Sequence, residues 1–213
     1  MKEDELQPLV DAWREANPNI VKFWWDVDRA DKAAVKEKTT TEPHGLQFVC
    51  RSGMLFIELP SGRHLSYAQP AIGENRFGGE SVTYMGIGAT KKWERIETFA
   101  GKLVENITKA VARDVLCYAM QTLGNEQIVM HVHDELIIEA EPEISLEEVC
   151  EKMGRTPPWA PGLILRADGY VCQYYKNEVV NLFWTRRGYF WNNPSTLVNH
   201  ASNLGKQDTV HIL

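Results

Sequence analysis

His131, His133, Asp134 and Glu135 put two imidazoles and two carboxylates within five residues, between the apolar runs 127–132 and 135–140. That pattern predicts two alternating strands joined by a tight polar turn at His133-Asp134. A carboxylate at a hairpin tip is fixed on both sides by the backbone ladder, while its oxygens stay open to hard cations such as Mg²⁺. Phosphoryl transfer needs such placement, because two metal ions about 4 Å apart activate an attacking hydroxyl and stabilise the leaving oxygen. A second chemistry is open to the same residues. Strand alternation sets His131 and His133 on one face, so His131, His133 and Asp134 also fit an HxHD-type cluster of a metal-dependent hydrolase. His44, His64, His200 and His211 sit in no comparable ligand spacing, which weighs against that second reading. The plainest reading of an Asp-Glu pair at a strand turn is structural, so the surrounding elements must decide.

The residues before the turn predict a long helix over 93–123, where Ile96, Phe99, Leu103, Ile107, Ala110, Val111, Val115 and Ala119 trace an apolar stripe and Gly124 is placed to cap the end. Helices are also expected over 4–16, with Leu6, Leu9, Val10 and Trp13 at helical spacing, and from Pro18 onward through Ile20, Phe23, Trp24, Val27, Ala30, Ala34 and Val35. Between them the period changes. Runs at 46–50, 54–59 and 64–68, separated by Ser52-Gly53 and Pro60-Ser61-Gly62, predict a three-stranded meander. The glycine-rich stretch 73–88 reads as a loop. Ser145-Leu-Glu-Glu148 fits a capping box that opens a short helix to about Met153, and a last strand is expected from Leu163. The aromatic cluster Phe183, Trp184, Tyr189, Phe190 and Trp191 and the polar residues after it give no assignable pattern.

Composition sets outer bounds. The 213 residues are 44% hydrophobic and 24% charged, ordinary for a globular chain and inconsistent with wholesale disorder. A net charge of -6 argues against a surface that coats nucleic acid indiscriminately, though not against a local basic lining. Cys50, Cys117, Cys150 and Cys172 form no CxxC or zinc-ligand spacing and read as reduced thiols. No apolar run reaches the ~20 residues that span a bilayer, so no membrane partner and a cytoplasmic location, in a bacterial or phage-infected cell, are expected.

Val132-His133-Asp134-Glu135 between apolar strands is similar to the palm hairpin of family A DNA polymerases, the DNA polymerase I type. Trp93-Glu-Arg-Ile-Glu97 through Val104-Glu-Asn-Ile-Thr-Lys-Ala-Val-Ala-Arg-Asp114 resembles the long helix before it in the phage-like branch. Leu9 to Ile20, Gly73 to Gly79, Gly154 to Trp159 and Leu165 to Tyr170 extend the likeness in the same order, over about residues 3–176. The resemblance implies an α+β fold, an antiparallel palm-like sheet with its catalytic-type hairpin packed by long helices. It implies fingers-derived helices over 1–38, a palm portion over 39–176 and an unassigned tail over 177–213.

It further implies a DNA-directed DNA polymerase portion acting in replication or repair, with primed DNA template and deoxynucleoside triphosphates as partners. Asp134 and Glu135 would be catalytic and metal-ligating, and His133, Asn106, Lys109 and Arg113 would contact DNA. The family pattern has glutamine where Lys109 stands, and lysine cannot accept a hydrogen bond from a base. Mg²⁺ is the implied cofactor, its two-metal site only partly encoded, since the family's second palm aspartate and nucleotide-gripping helix match nothing here. An upstream polymerase fragment is therefore a further implied partner, and the isolated chain is expected to be inactive. The alternative is a noncatalytic DNA-binding remnant, using Lys91, Lys92, Arg95, Lys102, Lys109 and Arg113 as phosphate contacts near one helix.

Overall fold

The structure is a computed structural model that describes residues 3–75, 78–124, 127–140, 144–172 and 208–212. It is α+β with antiparallel strand pairing throughout, and it divides into two compact units, Met1–Val115 with Pro157–Pro161 and Leu116–Thr156 with Gly162–Leu213.

In the first unit, α1 (Glu3–Ala16) ends before α2 (Pro18–Lys36), whose Pro18 occupies the first turn where its missing N–H costs nothing. Val27, Ala30, Ala34 and Val35 bury one face of α2. The apolar stripe of α1 behaves differently, since Leu6, Leu9, Val10 and Trp13 stay exposed and Trp13 stacks on Trp24 at 5.6 Å. Five strands follow in chain order: β1 (Gln47–Arg51), β2 (Met54–Glu58), β3 (His64–Glu74), β4 (Glu80–Ile87) and β5 (Trp93–Glu97). The β1–β2 turn at Ser52-Gly53 has both residues at positive φ, as the twist-matched two-residue hairpin requires.

The meander thus has five strands where three were expected. Strand β3 runs on past a bulge at Gln69-Pro70, a position where proline's missing donor is tolerated, and residues 80–87 of the expected loop form β4. Glycine misled the reading because here it makes room. A Cβ on Gly73 would lie 2.9 Å from Thr83 Cγ2, and one on Gly86 would lie 2.9 Å from Ile96 Cδ1. The expected helix also starts later. Trp93–Glu97 pairs with β4, and α3 covers Ala100–Leu123. Phe48, Leu55, Ile57, Tyr67 and Val82 from the sheet close the core with the α2 residues and with Leu103, Val104, Ile107 and Ala110 of α3.

In the second unit, Leu116, Ala119 and Leu123 of α3 pack with Leu136, Ile138 and Ala140 of β7 (Glu135–Ala140) and with Val149 and Met153 of α4 (Leu146–Met153). Gly124 ends α3 with φ +62, as expected of a left-handed cap. Ser145 caps α4 by accepting from the Glu148 N–H at 3.3 Å, but the Glu148 carboxylate pairs with Lys152 at 2.9 Å. The sheet order is β6 (Gln127–Val132), β7, β9 (Asp208–Ile212), β8 (Gly169–Cys172). The last strand of the palm-like part was expected from Leu163, yet Leu163 and Ile164 lie exposed outside any strand. Strand β9 comes from the stretch left unassigned, and the aromatic cluster 183–191 lies outside the described residues.

Candidate active site

The hairpin expected from the sequence is present. Val132 pairs with Glu135, so His133 and Asp134 alone form the turn. His133 adopts φ +52, a conformation that the first central residue of such a turn needs and that a non-glycine residue takes at a cost. The rigid side of the hairpin is β7, where Leu136, Ile137 and Ile138 are all buried, whereas Val129 and Met130 of β6 are exposed. A bulge at Val129 shifts the ladder between Ile128↔Ile138 and Met130↔Ile137. Such a bulge twists the strand and re-aims the residues beyond it, here those leading to the turn.

His133 and Asp134 are exposed and Glu135 is half-buried. Their side chains therefore reach solvent from a backbone held by a buried central strand. The two carboxylates are hard oxygen donors of the kind Mg²⁺ accepts from proteins, one or two at a time, with waters and substrate phosphates completing the shell. Among the described residues no group of three or more His, Cys, Asp or Glu could hold a metal ion. The donor chemistry of the two carboxylates fits Mg²⁺. The HxHD reading loses its premise, because His133 lies in the turn beyond Val132 and strand alternation does not extend to it.

Asn106, Lys109 and Arg113 recur at three and four along α3, so they share one helix face. Asn106 Nδ2 donates to Tyr67 Oη at 3.1 Å, which orients the amide; burial raises the Tyr67 phenol while that bond lowers it. Lys109 is exposed, and its Nζ donates to Glu105 Oε1 at 2.6 Å. Lys102 Nζ donates to Glu105 Oε2 at 2.9 Å. The two ammonium groups, Lys109 first, pull the Glu105 carboxyl down to about 2. Arg113 is exposed on the same face. Lower on the helix, Asp114 is buried and accepts from Arg63 Nε and Ser61 Oγ, each at 2.6 Å, while Arg63 Nη2 donates to Ala110 O at 2.8 Å. This clamp ties the β2–β3 turn to α3.

The structure thus gathers His133, Asp134 and Glu135 on one hairpin of the second unit and Asn106, Lys109 and Arg113 on one helix face of the first. Of the cations proposed for phosphate contact near one helix, Lys102, Lys109 and Arg113 lie on α3 and the other three precede it. Lys91 and Lys92 sit in the β4–β5 turn, and Arg95 in β5 donates to Gln69 O and Thr83 Oγ1, both at 3.1 Å. Sequence reasoning missed Glu105, although its spacing three after Lys102 and four before Lys109 signals a helical ion pair. Tyr67 had no such signal, being 39 residues from Asn106.

Comparison with known proteins gives one strong likeness. A DNA polymerase of Bacillus phage SP02 is 48% identical over 183 residues, which is 84% of this chain and 28% of the phage protein. The chain therefore spans little more than a quarter of that relative's length. No family model matches the chain. No solved structure matches it either.

Proposed function

We propose that this chain is a portion of a DNA-directed DNA polymerase of the family A type, and that it contributes the His133-Asp134-Glu135 hairpin to a magnesium-dependent nucleotidyl-transfer site. The observation that supports this reading is a carboxylate pair, Asp134 exposed and Glu135 half-buried, on a bulge-twisted hairpin whose β7 strand is buried, in a chain nearly half identical to part of a phage DNA polymerase. In it the β6–β7 sheet belongs to a palm, and α1 and α2 are fingers-derived helices. Asp134 and Glu135 hold the metal, which when bound supplies charge stabilisation for attack of a primer 3′-hydroxyl on a nucleotide α-phosphate. His133 steadies the primer terminus, and its place in a rigid turn limits its freedom. Asn106, Lys109 and Arg113 present donors to the DNA backbone and bases. Lys109 can hold a phosphate without reading sequence.

Two carboxylates on one hairpin leave a two-metal arrangement short of ligands among the described residues, and this reading assigns the remaining metal and nucleotide contacts to the parts of the phage relative that the chain does not match. The experiment is Mg²⁺-dependent primer extension by the purified chain, alone and mixed with a polypeptide carrying the parts of the phage relative that this chain does not match. Incorporation is expected in the mixture and not from the chain alone. If that polypeptide binds and the mixture still incorporates nothing, the noncatalytic DNA-binding reading replaces this one.

A further inference from the structure

We propose that Glu105 is a built-in brake on nucleic-acid binding: by bridging Lys102 and Lys109 it offsets one of the positive charges on the helix face that meets the phosphate backbone. The inference rests on the proposed role of α3 in contacting DNA. Its carrying observation is the bridge itself, with Glu105 Oε2 accepting from Lys102 Nζ at 2.9 Å and Oε1 accepting from Lys109 Nζ at 2.6 Å. Both carboxylate oxygens are engaged, one with each lysine, and all three side chains are substantially exposed. A glutamate held there serves folding little, because exposed helical ion pairs contribute only a few tenths of a kcal/mol. Its electrostatic effect on a third, negatively charged body is larger. A DNA phosphate approaching either ammonium meets the carboxylate within a few ångströms, well inside the Debye length of about 10 Å at 0.1 M salt.

Each ammonium keeps two further donors after serving Glu105, so the lysines can still hydrogen-bond a phosphate. What the brake lowers is the net charge exchanged for condensed counterions, the quantity that sets the affinity of sequence-independent binding. A polymerase gains from this, since it must hold the duplex and yet translocate along it. Lys109 adds a charge that Glu105 takes back.

The test uses the full chain, a fluorescent primed duplex and anisotropy titrations over a series of KCl concentrations. Glu105→Gln is expected to tighten binding about threefold near 0.1 M salt and to steepen the slope of log K against log[salt] by close to one phosphate contact, about 0.9. Glu151→Gln, which makes the same change in net charge at an exposed site on α4, is expected to alter neither. Lys109→Gln should weaken binding in the wild-type background and weaken it more in the Glu105→Gln background, where its charge is no longer offset. If Glu105→Gln weakens binding, Glu105 positions the lysines instead of opposing them and the proposal falls. Equal effects of Glu105→Gln and Glu151→Gln would reduce the matter to net charge and overturn it as well. If no variant binds the duplex even at low salt, the failure belongs to the polymerase reading beneath it.

Discussion

Two tight turns in this chain put ionisable side chains to opposite uses. At the β2–β3 turn, Arg63 and Ser61 are spent on the buried Asp114 and on the Ala110 carbonyl, so every charge has a structural partner. At the β6–β7 turn, His133 and Asp134 are exposed, and a non-glycine residue is kept at φ +52 in the turn itself. Residue type does not separate them, since both contain a charged side chain in a hairpin. What separates them is whether the charge has a partner among the described residues, and a carboxylate without one on a conformationally costly turn is the better mark of chemistry.

The sharpest test of that contrast is Asp134→Asn, a change of small volume at an exposed site. Nucleotide incorporation by the completed enzyme should fall by at least about 10³-fold, the scale of losing a metal-held transition-state contact. The melting temperature should stay put. A large loss of stability with activity retained would show Asp134 to be structural after all.

Asp31 supplies a third kind of carboxylate, neither spent nor offered. It is 1% exposed in α2, its Oδ1 has no hydrogen-bond partner among the described residues, and burial, then the nearby Asp28 charge, push its carboxyl up from 3.8 to about 8. The unfolded chain releases this proton near pH 4 while the native one keeps it to about pH 8. Between those values the unfolded state binds fewer protons, so stability falls as pH rises through that window and levels off above it. Asp31→Asn should flatten the dependence and raise the unfolding free energy by about 3 kcal/mol at pH 7, at ~1.4 kcal/mol per pKa unit less the burial of an amide. Urea denaturation at pH 5, 7 and 9 gives the curve; an unchanged slope would mean that Asp31 ionises freely.

Asp114→Asn should cost about 2 kcal/mol, because it removes the charge from two short hydrogen bonds and weakens the clamp on α3. Its signature is the reverse of Asp134→Asn, with a lower melting temperature and incorporation preserved below that transition. The smallest effect is expected from His133→Gly, which relieves the positive φ and should add about 0.5–1 kcal/mol of stability. If His133 steadies the primer terminus, the same variant raises the KM for primed template. Gain of stability without that rise would leave the residue's conformation unexplained by function.

Much of this architecture is local and therefore legible in the chain. Helical spacing and Pro18 set α1 and α2, Ser52-Gly53 and His133-Asp134 set two hairpins, and Ser145 and Gly124 set helix ends, since each depends on residues within one turn or one strand pair. The carboxylate pair at 134 and 135 was legible for the same reason. Tertiary structure alone decided what required distant partners. Gly73 and Gly86 lie in strands, at positions where a Cβ would meet Thr83 and Ile96 from across the sheet. Trp93–Glu97 left the predicted helix because β4 offered it a ladder, and Asp208–Ile212 found its place between β7 and β8. Arg63 reached Asp114 over 51 residues, and Tyr67 reached Asn106 over 39. No periodicity encodes such pairs, because their energy exists only once sheet and helix have brought the side chains within hydrogen-bonding range.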